Sequence, residues 1–272
     1  MSILHSGRLA LVAGPEERQD REAKGPWWAV SVARYAFAVP YVEAARVLDV
    51  AAGTGYGLEL LARLAHSVIG VDRDVHALRS TPGDGRRIAL IHADACRLPL
   101  ASEGFDVVIS FETIEHLDCR PAFVAELARV LKSGGLCILS TPNARHTEPI
   151  DGRPRNPFHK HEYLPSELRE ELSRAFAEVE LLGQKLDAGI VVSPFFDDQL
   201  RLMRQGLRSR SRVVLWRLLN RLPSFLQDPL ARLLWGHAFE VQPGDFVISR
   251  AGVEEAPVLV ALCRSPRGGP LA

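Results

Sequence analysis

The sequence predicts an α/β fold: a doubly wound, mainly parallel seven-stranded sheet with a helical insertion before the last strand. Three observations predict it. Short apolar runs rich in Val, Ile and Leu recur along the first two thirds of the chain, and each ends in a carboxylate, a glycine turn or a polar segment. Stretches with helical spacing lie between them, and alternating strand and helix build a parallel sheet with its crossovers on the faces. A final apolar run, residues 257–263, stands alone after a long interval.

Residues 1–40 form an N-terminal cap segment, polar as far as Gly25. Trp27-Trp28 and Arg34-Tyr35-Ala36-Phe37-Ala38 then show helical aromatic spacing, which suits a packing helix or a cover over a ligand pocket. Val47-Leu48-Asp49-Val50 suits a strand buried on both faces. It runs into Ala51-Ala52-Gly53-Thr54-Gly55-Tyr56-Gly57, where glycines admit positive φ and let a ligand approach the backbone. Leu58–Ala65 reads as the following helix, so the N–H groups of the turn collect at a helix N-terminus.

The remaining core elements follow in order. Ser67–Asp72 is a second strand ending in a carboxylate, and Ile88–Ile91 a third, closed by His92-Ala93-Asp94-Ala95. Phe105–Ser110 is a fourth strand, with Phe111–Leu117 leaving its carboxyl end. Ala122–Leu131 is a helix, Lys132-Ser133-Gly134-Gly135 its glycine stop, Leu136–Asn143 a fifth strand and Phe176–Leu182 a sixth. The chain divides into the cap at 1–40, a core at 41–187, a helical insertion at 188–245 and a last strand within 246–272. The insertion is basic and amphipathic, with Arg201, Arg204, Arg208, Arg210, Arg212, Arg217 and Arg221 interleaved among apolar residues. Such a stretch suits a solvated helical subdomain, a dimer interface, an acceptor lid, or a membrane-surface helix at 201–221 that meets a lipid-linked substrate.

Composition narrows the class. The chain has 272 residues with 33 Lys plus Arg against 33 Asp plus Glu, so no global field favours a polyanion, and nucleic acid is not an expected partner. The four cysteines, Cys96, Cys119, Cys137 and Cys263, show no C-x-x-C spacing, and neither a zinc cluster nor a disulfide framework is expected. No targeting signal or membrane span is expected either, and a cytoplasmic location is the default.

The glycine turn alone is a weak signal, because dinucleotide-binding proteins use G-x-G-x-x-G at the same place. Here the last glycine of that pattern is replaced by Leu58, and Asp49 at the strand end is unfavourable for a diphosphate. A cofactor with a positive sulfonium and an ammonium group suits Asp49 instead. At Val47–Gly57, and through the later strand-end carboxylates, the chain resembles the class I S-adenosylmethionine-dependent methyltransferases. Phe105–Leu117, Ser140-Thr141-Pro142-Asn143 and Asn156–Leu168 are similar to bacterial small-molecule methyltransferases of the ubiquinone/menaquinone group.

The resemblance implies a Rossmann-like fold whose last strand is antiparallel, with S-adenosyl-L-methionine as cofactor. Cofactor-binding residues are then Asp49 near the ammonium, Ala51, Gly53 and Gly55 at the amino-acid end, Asp72 at the ribose, Asp94 and Ala95 at the adenine, and Ser110 and Glu112 after the fourth strand. Candidate catalytic residues are His116, Glu115 and His161, as bases for a hydroxyl acceptor. The spacing Glu112-x-x-Glu115-His116, with His159 and His161 downstream, also resembles the set in metal-assisted small-RNA 2′-O-methyltransferases, although no metal is assigned.

The expected activity is methyl transfer to a small-molecule acceptor, a hydroxyl of a sugar, polyketide or lipid-linked intermediate. A non-catalytic module on the same fold and a nicotinamide-dependent oxidoreductase are the alternatives. Relatives of this kind carry histidines before the Arg-Tyr of the N-terminal helix, where this chain has Ser31 and Ala33.

Overall fold

A computed structural model describes residues 26–81, 87–147, 149, 153–187 and 207–267. Its centre is an eight-stranded sheet of order β3-β2-β1-β4-β5-β8-β6-β7. The strands are β1 (Arg46–Val50), β2 (Ser67–Asp72), β3 (Ile88–His92), β4 (Phe105–Phe111), β5 (Leu131–Pro142), β6 (Phe176–Leu186), β7 (Phe246–Ser249) and β8 (Val258–Pro266). Described helices are α1 (Pro26–Ala38), α2 (Tyr56–Ala62), α3 (Val75–Ser80), α4 (Arg120–Val130), α5 (Ala144–Thr147), α6 (Pro165–Ser173), α7 (Leu207–Leu219) and α8 (Ser224–Trp235).

The doubly wound, mainly parallel sheet is as expected, and the run at 257–263 supplies, from Val258 on, most of β8, which is antiparallel to both β5 and β6. One strand is additional. Phe246–Ser249 pairs antiparallel with the far end of β6, which itself runs on to Leu186 rather than stopping at Leu182. Its four residues are only half-buried, so the segment carries little of the strand patterning that a buried run shows. The expected glycine stop at 132–135 is instead the bulged start of β5. Buried Leu131 pairs with Phe105, and the register shifts between Phe105 and Val107.

Why these runs form this sheet is visible in their alternation. Val47 faces one core cluster and Leu48 the other; Val107 and Ile109 face the first, Val108 the second. Period-two burial on both faces is what a sheet covered by helices on each side requires. On one face Phe123 and Leu127 of α4 and Leu168 and Leu172 of α6 are fully buried; on the other, Leu58 and Leu61 of α2 and Tyr35 of α1 close the core. Truncating a side chain such as Phe123 would cost about 3–5 kcal/mol.

The strand order reverses between β1 and β4, and the crevice at the carboxyl ends of these neighbours is where a doubly wound sheet takes ligands. Helices α7 and α8 pack on each other around a third cluster of Leu219, Ala231 and Phe239, with Trp216 stacked on Phe239 at 5.7 Å. Arg201 and Arg204 lie outside the described residues. Among the described residues no helix is long and apolar enough to cross a membrane.

The cysteine expectation is corrected in part. Cys96, just after β3, and Cys119, just before α4, form a disulfide with Cα atoms 6.4 Å apart, whereas Cys137 and Cys263 are free and buried. The pairing joins two loops that are distant in sequence and adjacent in the sheet's carboxyl-end rim, a proximity that cysteine spacing does not encode.

Candidate active site

The loop after β1 is held in a tight, partly left-handed path. Ala51 takes φ 64°, and Ala52 N–H donates to the Val71 carbonyl at 2.9 Å. Gly55 is at φ 71°, and a Cβ there would lie 2.2 Å from the Thr81 methyl group, so the position needs glycine twice over. Asp72 at the end of β2 fixes the loop: its Oδ2 accepts from Gly53 N–H at 2.8 Å and its Oδ1 from Asp74 N–H at 2.8 Å. Both oxygens retain acceptor capacity.

Asp49 sits under this loop, fully buried. The Tyr35 hydroxyl donates to its Oδ2 at 2.9 Å, while Oδ1 is buried with no hydrogen-bond partner. Burial pushes the Asp49 carboxyl up to about 7, with the Tyr35 bond opposing and nearby Asp72 adding to the rise. Tyr35 is clamped edge-on by Tyr56 at 5.2 Å and Phe111 at 5.0 Å. Beside it Arg34, also buried, donates to Gln184 Oε1 at 3.0 Å and Ser31 Oγ at 3.1 Å and lies 3.9 Å from Glu112 Oε1. The aromatic spacing of residues 27–38 marks this helix in the sequence. Nothing in it says that Tyr35 meets Asp49 or that Arg34 meets Gln184, which is 150 residues away.

At the end of β4, Glu112 takes φ 51°, an unusual conformation for a residue with a Cβ. Ser140 holds it there: its carbonyl accepts Glu112 N–H at 3.0 Å, and its hydroxyl donates to Glu112 Oε1 at 2.7 Å. Left-handed Ala51 and Glu112 thus flank the crevice on adjacent strands. Such outliers cluster at functional sites. Ser110 donates its hydroxyl to the Val50 carbonyl at 2.7 Å and ties β4 to β1. Asp94 and Ala95 lie on the rim after β3, where Asp94 Oδ1 accepts Cys96 N–H at 2.9 Å. The disulfide therefore begins two residues from Asp94 and ends three residues beyond His116.

Glu115, His116 and His159 converge, with one donor atom of each inside a 4.8 Å span. Glu115 is fully buried; Thr141 donates to its Oε2 at 2.9 Å, and its Oε1 has no hydrogen-bond partner. Burial, reinforced by Glu112, pushes its carboxyl up to about 8. His116 Nδ1 lies 3.1 Å from the Phe158 carbonyl, which assigns the proton to that nitrogen, and Nε2 is 3.9 Å from Glu115 Oε1. His159 is oriented the same way by Glu162 Oε1, 2.7 Å from its Nδ1, while its Nε2 meets the Asn156 amide at 3.0 Å. Imidazole and carboxylate donors backed by such partners have the chemistry of a divalent-ion set. The His161 backbone N–H donates to the Glu115 carbonyl at 3.2 Å, but its ring is not in this group and stands edge-on to Tyr163 at 4.4 Å. Burial lowers its pKa. Of the two downstream histidines that the sequence set beside Glu112-x-x-Glu115-His116, His159 joins the group and His161 does not.

These residues fit the cofactor that the sequence implied. A buried carboxylate oxygen without a partner is costly unless a cationic or donor group reaches it, and an ammonium supplies that charge and hydrogen bond together. The glycine loop admits a ligand against the backbone, and Asp72 faces the same crevice end.

Comparison with known proteins agrees. Residues 48–139 match the family model described as a methyltransferase domain. A "Probable S-adenosylmethionine-dependent methyltransferase" of Mycolicibacterium smegmatis is 40% identical over 145 residues, covering 53% of this chain and 56% of that protein. One of the same description from Mycobacterium tuberculosis is 35% identical over 179 residues, 65% of each. The chain thus spans less than two thirds of the length of these relatives. A ubiquinone biosynthesis O-methyltransferase of a Ruegeria species is 36% identical over 106 residues, 36% of this chain and 41% of that protein.

Among solved structures, an S-adenosylmethionine-dependent methyltransferase from Mesorhizobium loti superposes with a TM-score of 0.51 at 16% identity, covering 90% of this chain and all of that one. The [4+2]-cyclase SpnF superposes with 0.53 at 19% identity, covering 90% and 85%. At such identities the structures report the fold alone. From the domain match and the aligned relatives, residues 48–139 carry a methyltransferase domain, and the chain is similar over its core to S-adenosylmethionine-dependent methyltransferases.

Proposed function

We propose that the protein transfers a methyl group from S-adenosylmethionine to a hydroxyl of a small-molecule acceptor of the sugar, polyketide or lipid-linked kind. The observation that supports this most is the buried Asp49 carboxylate, whose Oδ1 has no hydrogen-bond partner, at the end of β1, together with a histidine–carboxylate pair just after the adjacent β4. When bound, S-adenosylmethionine supplies an electrophilic methyl carbon on a positively charged sulfur.

In this reading Asp49 Oδ1 receives the ammonium, and Ala51, Gly53 and Gly55 line the amino-acid end. Asp72 accepts from the ribose hydroxyls, and Asp94 and Ala95 border the adenine. Ser110 and Glu112 shape the sulfur side. His116 takes the acceptor's hydroxyl proton at Nε2, with Nδ1–H anchored on the Phe158 carbonyl. Glu115 Oε1 lies 3.9 Å away, and the imidazolium that results favours ionisation of this raised carboxyl beside it. Residues 41–187 act as the catalytic core.

Turnover settles the reading: purified protein is incubated with S-adenosylmethionine and a panel of hydroxylated sugars, polyketides and lipid-linked glycans, and S-adenosylhomocysteine is quantified. Acceptor-dependent product that His116→Ala reduces at least about a hundredfold supports it, because a positioned base contributes 10²–10⁴. Product formation indifferent to His116 removes the histidine from the chemistry.

One observation favours a second reading of the same pocket. The converging donors of Glu115, His116 and His159 would hold a divalent ion that polarises the acceptor hydroxyl in place of the base. Under that reading a chelator abolishes turnover and an added divalent ion restores it.

A further inference from the structure

Helices α7 and α8 turn apolar and basic residues outward together. On α7 and its final turn, Val214, Arg217, Leu218 and Arg221 are exposed at spacing i, i+3, i+4, i+7, which is one face of a helix; Val214 and Leu218 are 55% and 54% exposed. On α8, Phe225 is 73% and Leu233 81% exposed, on the side away from buried Ala231. Large apolar side chains this open are not core.

Charge shows what covers them. Residues 207–239 contain six arginines and one aspartate, while 27 of the 33 basic and 32 of the 33 acidic residues lie elsewhere. The segment that exposes these apolar side chains therefore carries a net charge of +5, and the rest of the neutral chain −5. The aspartate, Asp228, lies 3.9 Å from Arg232 on the same helix.

We infer that the α7–α8 hairpin docks on an anionic phospholipid surface, with Phe225, Leu226 and Leu233 entering the headgroup–acyl boundary and Arg217, Arg221 and Arg232 meeting lipid phosphates. Arginine suits phosphate through its planar fork of donors, and exposed Phe and Leu suit the apolar layer beneath. A second copy is the poorer occupant: a two-fold contact would set this basic segment against itself. A soluble polyanion would use the arginines and leave the apolar side chains in water. The inference does not depend on methyl transfer, since docking is read without turnover.

The test is co-sedimentation of the full chain with vesicles of phosphatidylcholine alone and with phosphatidylglycerol added, at low and high salt. Expected is partition onto the phosphatidylglycerol vesicles only, weakened by salt. Arg217→Gln/Arg221→Gln and Phe225→Ser/Leu233→Ser should each lower the partition constant at least about tenfold. Unchanged far-ultraviolet circular dichroism would show that these exposed substitutions leave the fold intact. No partition onto phosphatidylglycerol vesicles, or equal partition onto both kinds, overturns the inference. So does self-association in the ultracentrifuge that Phe225→Ser/Leu233→Ser abolishes.

Discussion

The Tyr35 hydroxyl donates to Asp49 Oδ2 at 2.9 Å and leaves Oδ1 of the same buried carboxylate unpartnered, so a helix outside the sheet orients the acidic residue at the end of its first strand. Asp49→Asn removes the charge proposed to receive the cofactor ammonium. Affinity for S-adenosylhomocysteine, measured by calorimetry, should fall at least about tenfold, or ~1.4 kcal/mol. Tyr35→Phe should weaken it less, by removing a bond that favours the charged carboxylate.

Asp49 also sets a pH dependence whose sign is fixed. Its folded value of about 7 lies above its ordinary 3.8, so between these limits the folded protein holds a proton that the unfolded chain has released. Stability of the unliganded protein should therefore fall as pH rises from about 4 to 7, by about 4 kcal/mol at most, and Glu115 extends the fall to about 8. An arriving ammonium favours the ionised form, so binding below pH 7 should release a proton and tighten as pH rises. Thermal melts and calorimetry in buffers of different ionisation enthalpy read both effects; Asp49→Asn should flatten the pH dependence of binding and leave only the Glu115 part of the fall in stability.

Much of the core could be read from residue order. Runs such as Val47–Val50 and Val68–Val71 are apolar on both faces, and their ends are marked by carboxylates and glycines, so β1, β2 and the loop between them announce themselves. The short β7 could not be read in this way, because Phe246–Ser249 is half-buried and is defined by its pairing with β6. The same holds for the site. Asp49, Asp72, Glu115 and His116 lie in patterned segments, whereas Arg34, Tyr35 and His159 acquire their roles through contacts distant in sequence. Ser110 was legible as a strand end but not as a tie to the Val50 carbonyl.

Two histidines separate a pocket role from a scaffold role. His116→Ala should lower kcat at least about a hundredfold with cofactor affinity unchanged. His161→Ala, whose ring packs on Tyr163, should lower kcat by less than about tenfold and act through stability. Steady-state kinetics with any acceptor found for the wild type checks both.

The Cys96–Cys119 bond closes a loop with a sequence separation of 23, which corresponds to about 3 kcal/mol of chain-entropy stabilisation. Cys96→Ser/Cys119→Ser should lower the melting temperature, and reductant should do the same to the wild type but not to the variant. Thiol titration of the unfolded, unreduced protein should find two free thiols, those of Cys137 and Cys263.

Gly57 lies against the Tyr35 ring, and a Cβ there would stand 2.1 Å from it. Gly57→Ala should displace Tyr35, destabilise the protein by about 1–3 kcal/mol and weaken the cofactor as Tyr35→Phe does. Chemical denaturation and calorimetry on the same variant check the pair.

The most direct test is a calorimetric titration of the purified chain with S-adenosylhomocysteine and, separately, NADH, for the wild type and Asp72→Ala. The account predicts one-site, micromolar binding of S-adenosylhomocysteine alone, weakened at least about tenfold by Asp72→Ala through the lost ribose and loop contacts. Affinity unchanged in Asp72→Ala, or binding of NADH in its place, would contradict the assignment of this crevice to S-adenosylmethionine.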